Sequence, residues 1–123
     1  MERAVPILPA DDLSVARAFY VLLGFRVVWE ATDNGATGLM GLERGTISIT
    51  IDAPMSGHGR QACVSLLVDN ADAYYREWRE RVAIQAPPRN EPWGARTFGV
   101  TDPSGNTIFV IGPLTSGEPD RIP

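Results

Sequence analysis

Two hydrophobic rhythms alternate along this chain, one of period two and one near 3.6, and the alternation runs through twice. Residues 5–8 are apolar but carry Pro6 and stop at Pro9. Proline cannot donate to a ladder, so this segment is expected at a sheet edge or leaving the body of its own subunit. Asp11 or Asp12 then caps a predicted helix whose apolar positions Leu13, Ala16, Tyr20 and Leu23 recur at helical spacing, and Gly24 ends it. Residues 25–30 predict a strand carrying Trp29. Residues 32–38, with Asp33, Asn34 and two glycines, predict a loop. Residues 39–42 and 46–52 predict a hairpin turning at Glu43-Arg44-Gly45. In its second strand Ile47, Ile49 and Ile51 alternate with Ser48, Thr50 and Asp52, so one face is core and the other polar.

Residues 53–61 contain Pro54, two glycines and no periodicity, and read as a linker. The order then restarts. Residues 63–68 predict a strand, Asp69 or Asn70 a helix cap, and Ala71, Tyr74, Trp78 and Val82 a buried stripe, with Arg76, Glu77, Arg79 and Glu80 on the solvated side. A short strand over 82–86, a loop over 87–94 and a hairpin over 95–111 follow. That hairpin turns on Asp102-Pro103-Ser104-Gly105-Asn106, where proline presets the turn, Asp and Asn bond their own backbone, and glycine tolerates positive φ. Residues 114–123 read as a frayed tail. Modules 1–55 and 56–113 are each too small to hold a sizeable core, so they should pack as one structural domain. The expected fold is α+β, two paired βαβββ modules forming a concave mixed sheet with helices on the outer face. The open face is where a ligand would bind.

Composition narrows the functions. A 44% hydrophobic content supports a packed core, and the chain has neither an apolar run of transmembrane length nor a signal-like start, which leads to the expectation of a cytoplasmic protein. The net charge of −4 argues against nucleic acid and is compatible with a cationic ligand. The single cysteine, Cys63, excludes an internal disulfide, and the single histidine, His58, excludes a multi-histidine metal site.

The repeated layout, the Asp12-Leu13 helix start, Phe19-Tyr20 before Leu23-Gly24-Phe25, and the turn at 102–106 together resemble the glyoxalase/bleomycin-resistance/extradiol-dioxygenase (vicinal oxygen chelate) superfamily over residues 4–112. Two segments look closer to its bleomycin-binding resistance proteins. One is Ala4-Val5-Pro6-Ile7-Leu8, where that group has an arm exchanged between subunits. The other is Glu91-Pro92-Trp93-Gly94-Ala95-Arg96, where it keeps a tryptophan beside the drug cleft. The resemblance implies a homodimer with clefts at the interface. In catalytic members histidines and carboxylates hold a divalent metal, and the matching positions here are Val5, Cys63 and Phe109. Valine and phenylalanine ligate nothing and one thiolate does not hold a hard cation, so no metal and no cofactor are expected; Asp52 and His58 are too scattered to replace them.

The candidate site follows from strand alternation. Ser48, Thr50 and Asp52 of the first half, and Cys63, Ser65, Thr97, Gly99, Thr107 and Phe109 of the second, should face the concave side, with Gly99 leaving room opposite Phe109. Trp93 is either a platform for a planar ligand or a loop aromatic lying on its own core. Trp29 is either cleft wall or ordinary packing, while Trp78 belongs to its helix's core stripe. Cys63 lacks a histidine partner and is expected to be a small buried thiol. Glu30, Asp33, Asp52 and Glu91 could make the rim negative. The bleomycin-binding group carries an aromatic ring in the loop matching 33–38, and this chain carries none. The expected function is metal-independent sequestration of a bulky aromatic, cationic antibiotic of the bleomycin class. The alternatives are a lyase- or isomerase-type enzyme, or a metabolite-binding protein, of the same superfamily.

Overall fold

The computed structural model describes residues 3–33, 36–53 and 61–115. Over these residues the order strand, helix, three strands occurs twice. The first module comprises β1 (Ile7–Pro9), α1 (Leu13–Leu22), β2 (Arg26–Asp33), β3 (Ala36–Arg44) and β4 (Ile47–Asp52). The second comprises β5 (Cys63–Leu67), α2 (Ala71–Trp78), β6 (Arg89–Asn90), β7 (Arg96–Thr101) and β8 (Thr107–Gly112). The eight strands form two four-stranded sheets, ordered β1-β4-β3-β2 and β5-β8-β7-β6. In each, the first strand lies parallel to the last and the other pairs are antiparallel. The fold is α+β. The expected linker and module boundary fall on 54–60, and most of the expected tail on 116–123, outside the described residues.

Local chemistry sets the helix ends. Asp12 Oδ1 accepts from the Ser14 hydroxyl at 2.7 Å and from the N–H groups of Ser14 and Val15, which α1 leaves unpaired at its start. These bonds, the Ser14 hydroxyl's foremost, hold the Asp12 carboxyl below the usual carboxylate range. At the other end Gly24 adopts φ +88°, its N–H returns to Val21 O, and that of Phe25 returns to Tyr20 O. This is a Schellman closure, which favours glycine at the left-handed position. Asn70 caps α2 through the Ala73 N–H at 3.1 Å.

Two segments differ from the sequence expectation, and a third takes one of the two places allowed for it. Residues 82–86 are not a strand: the N–H groups of Arg81 and Val82 both turn back to Trp78 O, and the module's second strand is only the two-residue β6. The expected loop at 32–38 is mostly ladder, since Thr32 pairs with Thr37 and Asp33 with Ala36. The proline-bearing N-terminal strand takes the expected edge position in the first sheet, with Ile7, Leu8 and Pro9 registered on Thr50, Ile51 and Asp52.

One continuous core joins the modules. Tyr20, Leu23, Phe25, Met40, Leu42, Ile49 and Ile51 meet Leu66, Trp78, Phe98, Val100, Ile108 and Val110 within it. Polar contacts cross the same boundary. Buried Asp102, in the β7–β8 turn, accepts at Oδ1 from the N–H groups of Ser104 and Asn106, both at 2.9 Å. Its Oδ2 accepts from the Tyr20 hydroxyl at 2.6 Å and from Asn106 Nδ2 at 2.8 Å. Asn106 also donates to Pro9 O and accepts from the Ala62 N–H. From the β3–β4 turn, Arg44 reaches the other way. It donates to Leu23 O at 2.8 Å, pairs with Glu77 of α2, and lies 4.6 Å from the Tyr74 ring centroid. Trp78 Nε1 donates to the same Leu23 carbonyl.

Two outcomes follow for stability. Burial, then the bond to Asp102, raises the Tyr20 pKa above that of an ordinary phenol. Tyr20→Phe leaves Asp102 short of a donor and is expected to cost about 1–3 kcal/mol in urea unfolding. An unchanged midpoint would show that the bond contributes nothing. Arg44 lowers the Glu77 carboxyl, so the native state binds fewer protons there than the unfolded chain. That stabilisation is present above the ordinary glutamate pKa of about 4.3 and is lost as pH falls through the lowered value. In Glu77→Gln the acid limb of a melting-temperature profile should be flatter than in wild type.

Candidate functional site

Alternation divides the second sheet. Leu66, Phe98, Val100, Ile108 and Val110 enter the core, and the residues between them take the opposite face. The register lays that face out in rows: Cys63 beside Thr107 and Thr101, and Ser65 beside Phe109 and Gly99. A third row joins Leu67, Ile111, Thr97 and Arg89. With the irregular segment after α2 as a wall, the face bounds a cleft of about 460 Å³ lined by second-module residues, among them Phe109, Gly99, Thr97, Arg89 and Glu91.

Phe109 is 42% exposed, and its ring lies 3.8 Å from the place a Cβ on Gly99 would occupy. The ring edge thus borders the bare backbone of Gly99 on the neighbouring strand, at ordinary van der Waals distance from where a Cβ would stand. Glu91 Oε1 accepts from the Thr97 hydroxyl at 3.3 Å and sits 3.4 Å from Arg89 Nε. Glu91 is thus already paired with a cation and does not supply free negative charge to the rim. Sequence reasoning missed Arg89, because β6 is too short to announce itself by periodicity. Cys63 is exposed, correcting the expectation of a buried thiol, since its strand position points it to the open face.

Trp93 stands apart on the β6–β7 turn. The turn is closed by the Gly94 N–H to Glu91 O and the Glu91 N–H to Ala95 O, with Gly94 at φ +102°. Trp93 is 66% exposed, so it does not lie on its own core.

The first sheet carries the other candidates. Ser48, Thr50 and Asp52 lie across the strand from buried Ile49 and Ile51, yet Thr50 is only 9% exposed and Asp52 only 1%. Asp52 is therefore closed off from solvent, and the expectation that it charges an open rim is revised. Glu30 pairs with Arg17 at 3.1 Å, and the Asp33 side chain lies outside the described residues. Trp29 owes its position to a bulge. Val27 pairs with core residue Leu42, but the register then skips Val28, so Trp29 opposes Gly41 rather than buried Met40. Simple alternation from Val27 would have sent the indole into the core; the extra residue turns it outward. There it rests over Gly41, where any Cβ would collide with it. Gly41 was a second residue missed in the sequence, although a glycine inside a strand is the signal for such an approach.

Among the described residues no three His, Cys, Asp or Glu side chains gather as a metal site. At the positions the resemblance matches to metal ligands, Val5, Cys63 and Phe109, the side chains make a poor donor set. Cys63 offers one thiol, and Phe109 fills its position with a ring. These residues do not fit a hard divalent cation. Among the described residues, no helix is long and apolar enough to cross a membrane.

A family model described as Glyoxalase/Bleomycin resistance protein/Dioxygenase superfamily matches residues 4–110. No curated protein matches the sequence. Among solved structures, a bleomycin resistance determinant encoded on the transposon Tn5 is 27% identical with a TM-score of 0.76, covering 92% of this chain and 98% of that one. A bleomycin-binding protein from Streptomyces verticillus, solved with copper(II)-bleomycin, is 26% identical with a TM-score of 0.73, covering 93% and 98%. A lactoylglutathione lyase from Agrobacterium tumefaciens shares the fold, at 20% identity and a TM-score of 0.71 over 91% of this chain and 94% of that one.

The Trp29 geometry can be tested directly. Gly41→Ala should push the indole off the sheet, shifting tryptophan emission and near-ultraviolet circular dichroism while far-ultraviolet dichroism stays native. Unchanged spectra would mean that Trp29 does not rest on Gly41 in solution.

Proposed function

This chain belongs to the glyoxalase/bleomycin resistance protein/dioxygenase superfamily, and we propose that it acts within it as a metal-independent binder that sequesters a bulky aromatic antibiotic of the bleomycin class. The superfamily holds both enzymes and non-enzymatic binding proteins. The observation that carries the binder reading is Phe109. At a position where catalytic relatives are expected to place a metal ligand, this chain puts an aromatic ring beside Gly99 in an open cleft. A ring there offers stacking and no coordination. The similarity to bleomycin-binding proteins along nearly the whole chain supports the same reading.

In this reading two copies pair so that the open face of one copy's first sheet closes over the second-sheet cleft of the other. Among the described residues, the single-chain cleft is lined by the second module. Ile7 and Trp29 on one sheet, and Leu67 and Phe109 on the other, are exposed apolar groups that pairing would cover. Trp29 and Phe109 would then flank the drug's planar portion, Trp93 would stack at the rim, and Ser48, Ser65 and Thr97 would supply hydrogen bonds. Trp29 would take the place of the aromatic ring missing from residues 33–38.

Sedimentation should give a dimer, and titration with bleomycin should saturate near one drug per chain with quenching of tryptophan fluorescence. Trp93→Ala and Phe109→Ala should each weaken binding by more than about 1 kcal/mol, as aromatic anchors do, with melting temperature retained. Prior treatment with a chelator should leave the metal-free drug's affinity unchanged. An absence of heat and quenching would dismiss the drug; metal-dependent turnover of a small electrophile would favour the enzyme reading.

A further inference from the structure

Among the described residues Arg89 is the one cation that lines the cleft, and its surroundings leave it under-used. Its Nε is shielded from solvent yet makes no hydrogen bond, with Glu91 Oε1 standing 3.4 Å away as its ion-pair partner. Charge-assisted N–H···O bonds of good geometry are shorter, about 2.7–2.9 Å. That single Glu91 oxygen, itself shared with the Thr97 hydroxyl, is the only polar partner of Arg89 among the described residues. A guanidinium has five donors in a rigid planar fork, and the edge formed by its two terminal nitrogens matches a carboxylate bidentately. Glu91 lies at the Nε side, so it orients the fork without occupying that terminal edge. The register carries the row from Arg89 through Thr97 to Ile111, next to the row that holds Gly99 and Phe109. An aromatic surface and an unsaturated cation therefore line one cleft.

We propose that Arg89 is a specificity-determining residue that selects ligands bearing a carboxylate, or an equivalent planar anionic acceptor, conjugated to an aromatic ring. The ring lies against Phe109, the anion takes the terminal edge of Arg89, and Glu91 holds the guanidinium in place. Such a ligand takes the terminal edge of a guanidinium that Glu91 contacts only at Nε, whereas an amine of the same shape would leave that edge unused and meet Arg89 with like charge. The inference concerns the same cleft as the binder reading but goes beyond it on charge: the drug class expected from the sequence is cationic, whereas the second-sheet wall beside Phe109 selects an anionic group.

Three matched probes test it by calorimetric titration: 2-naphthoate, 2-naphthamide and 2-naphthylmethylamine. Wild type should bind the acid about tenfold tighter than the amide, and the amine most weakly. Arg89→Gln should abolish the difference between acid and amide, and Arg89→Lys should retain part of it. Phe109→Ala should weaken acid and amide alike. Equal affinities in wild type, including no binding of any probe, would overturn the inference without requiring a variant to fold. So would an acid preference that survives Arg89→Gln in a variant of native melting temperature. Bleomycin titrated into the same samples separates the two readings. Saturable drug binding without an acid preference overturns only the role of Arg89, and an acid preference without drug binding overturns only the choice of drug.

Discussion

The carboxylate of Asp102 is the point on which the two modules are joined. Four donors converge on it, two from its own turn and two from side chains, and one of those side chains, Tyr20, belongs to the helix of the other module. A buried carboxylate is tolerable only when its lone pairs are filled. The arrangement therefore makes the turn and the helix interdependent: the turn has its geometry because the carboxylate bonds two of its N–H groups, and the carboxylate is tolerated there partly because α1 delivers a hydroxyl. Asn106 extends the join to Pro9 and Ala62, fastening the end of one edge strand and the approach to another.

The opposite turn makes the reciprocal connection with different chemistry. Arg44 leaves the first module's hairpin, bonds Leu23 O and pairs with Glu77, while Trp78 donates to the same carbonyl. The C-terminal carbonyls of α1, which lack helical partners, thus receive donors from both modules. Each hairpin turn holds a helix of the other half, so the helical faces of both sheets are committed to the joint core. The opposite faces of the sheets are what remains for ligands or for a second copy of the chain.

Those open faces share a device. On each, an aromatic ring borders a glycine of the neighbouring strand: Trp29 fills the place a Gly41 side chain would take, and Phe109 lies at contact distance from Gly99. A strand glycine forgoes packing and backbone rigidity, and what it offers in return is room for a ring. The electrostatics of the faces are quieter than acidic composition suggests. Glu30, Glu91 and Glu77 each face an arginine, and Asp52 is buried. Net charge describes the whole chain, whereas a ligand in the cleft meets the particular pair Arg89 and Glu91.

Much of the fold was legible in the sequence because it follows from local chemistry. Asp12 and Asn70 cap helices, Gly24 closes one, and the alternation of Ile49 and Ile51 with Ser48 and Thr50, or of Ile108 and Val110 with Thr107 and Phe109, assigns strand faces without reference to distant residues. Gly99 opposite Phe109 was foreseeable on the same ground. What only the tertiary structure decided depends on register and on contacts far apart in the chain. The bulge at Val28 reverses the face on which Trp29 stands, and a one-residue slip of that kind leaves no trace in composition. Strand β6 exists because β7 pairs with it, which is how Arg89 comes into the cleft. Asp102 and Tyr20 are 82 residues apart. Alternation assigns Asp52 to the open face, but it does not say whether other parts of the molecule close over it. Side-chain direction is a local property; exposure and partnership belong to the whole fold.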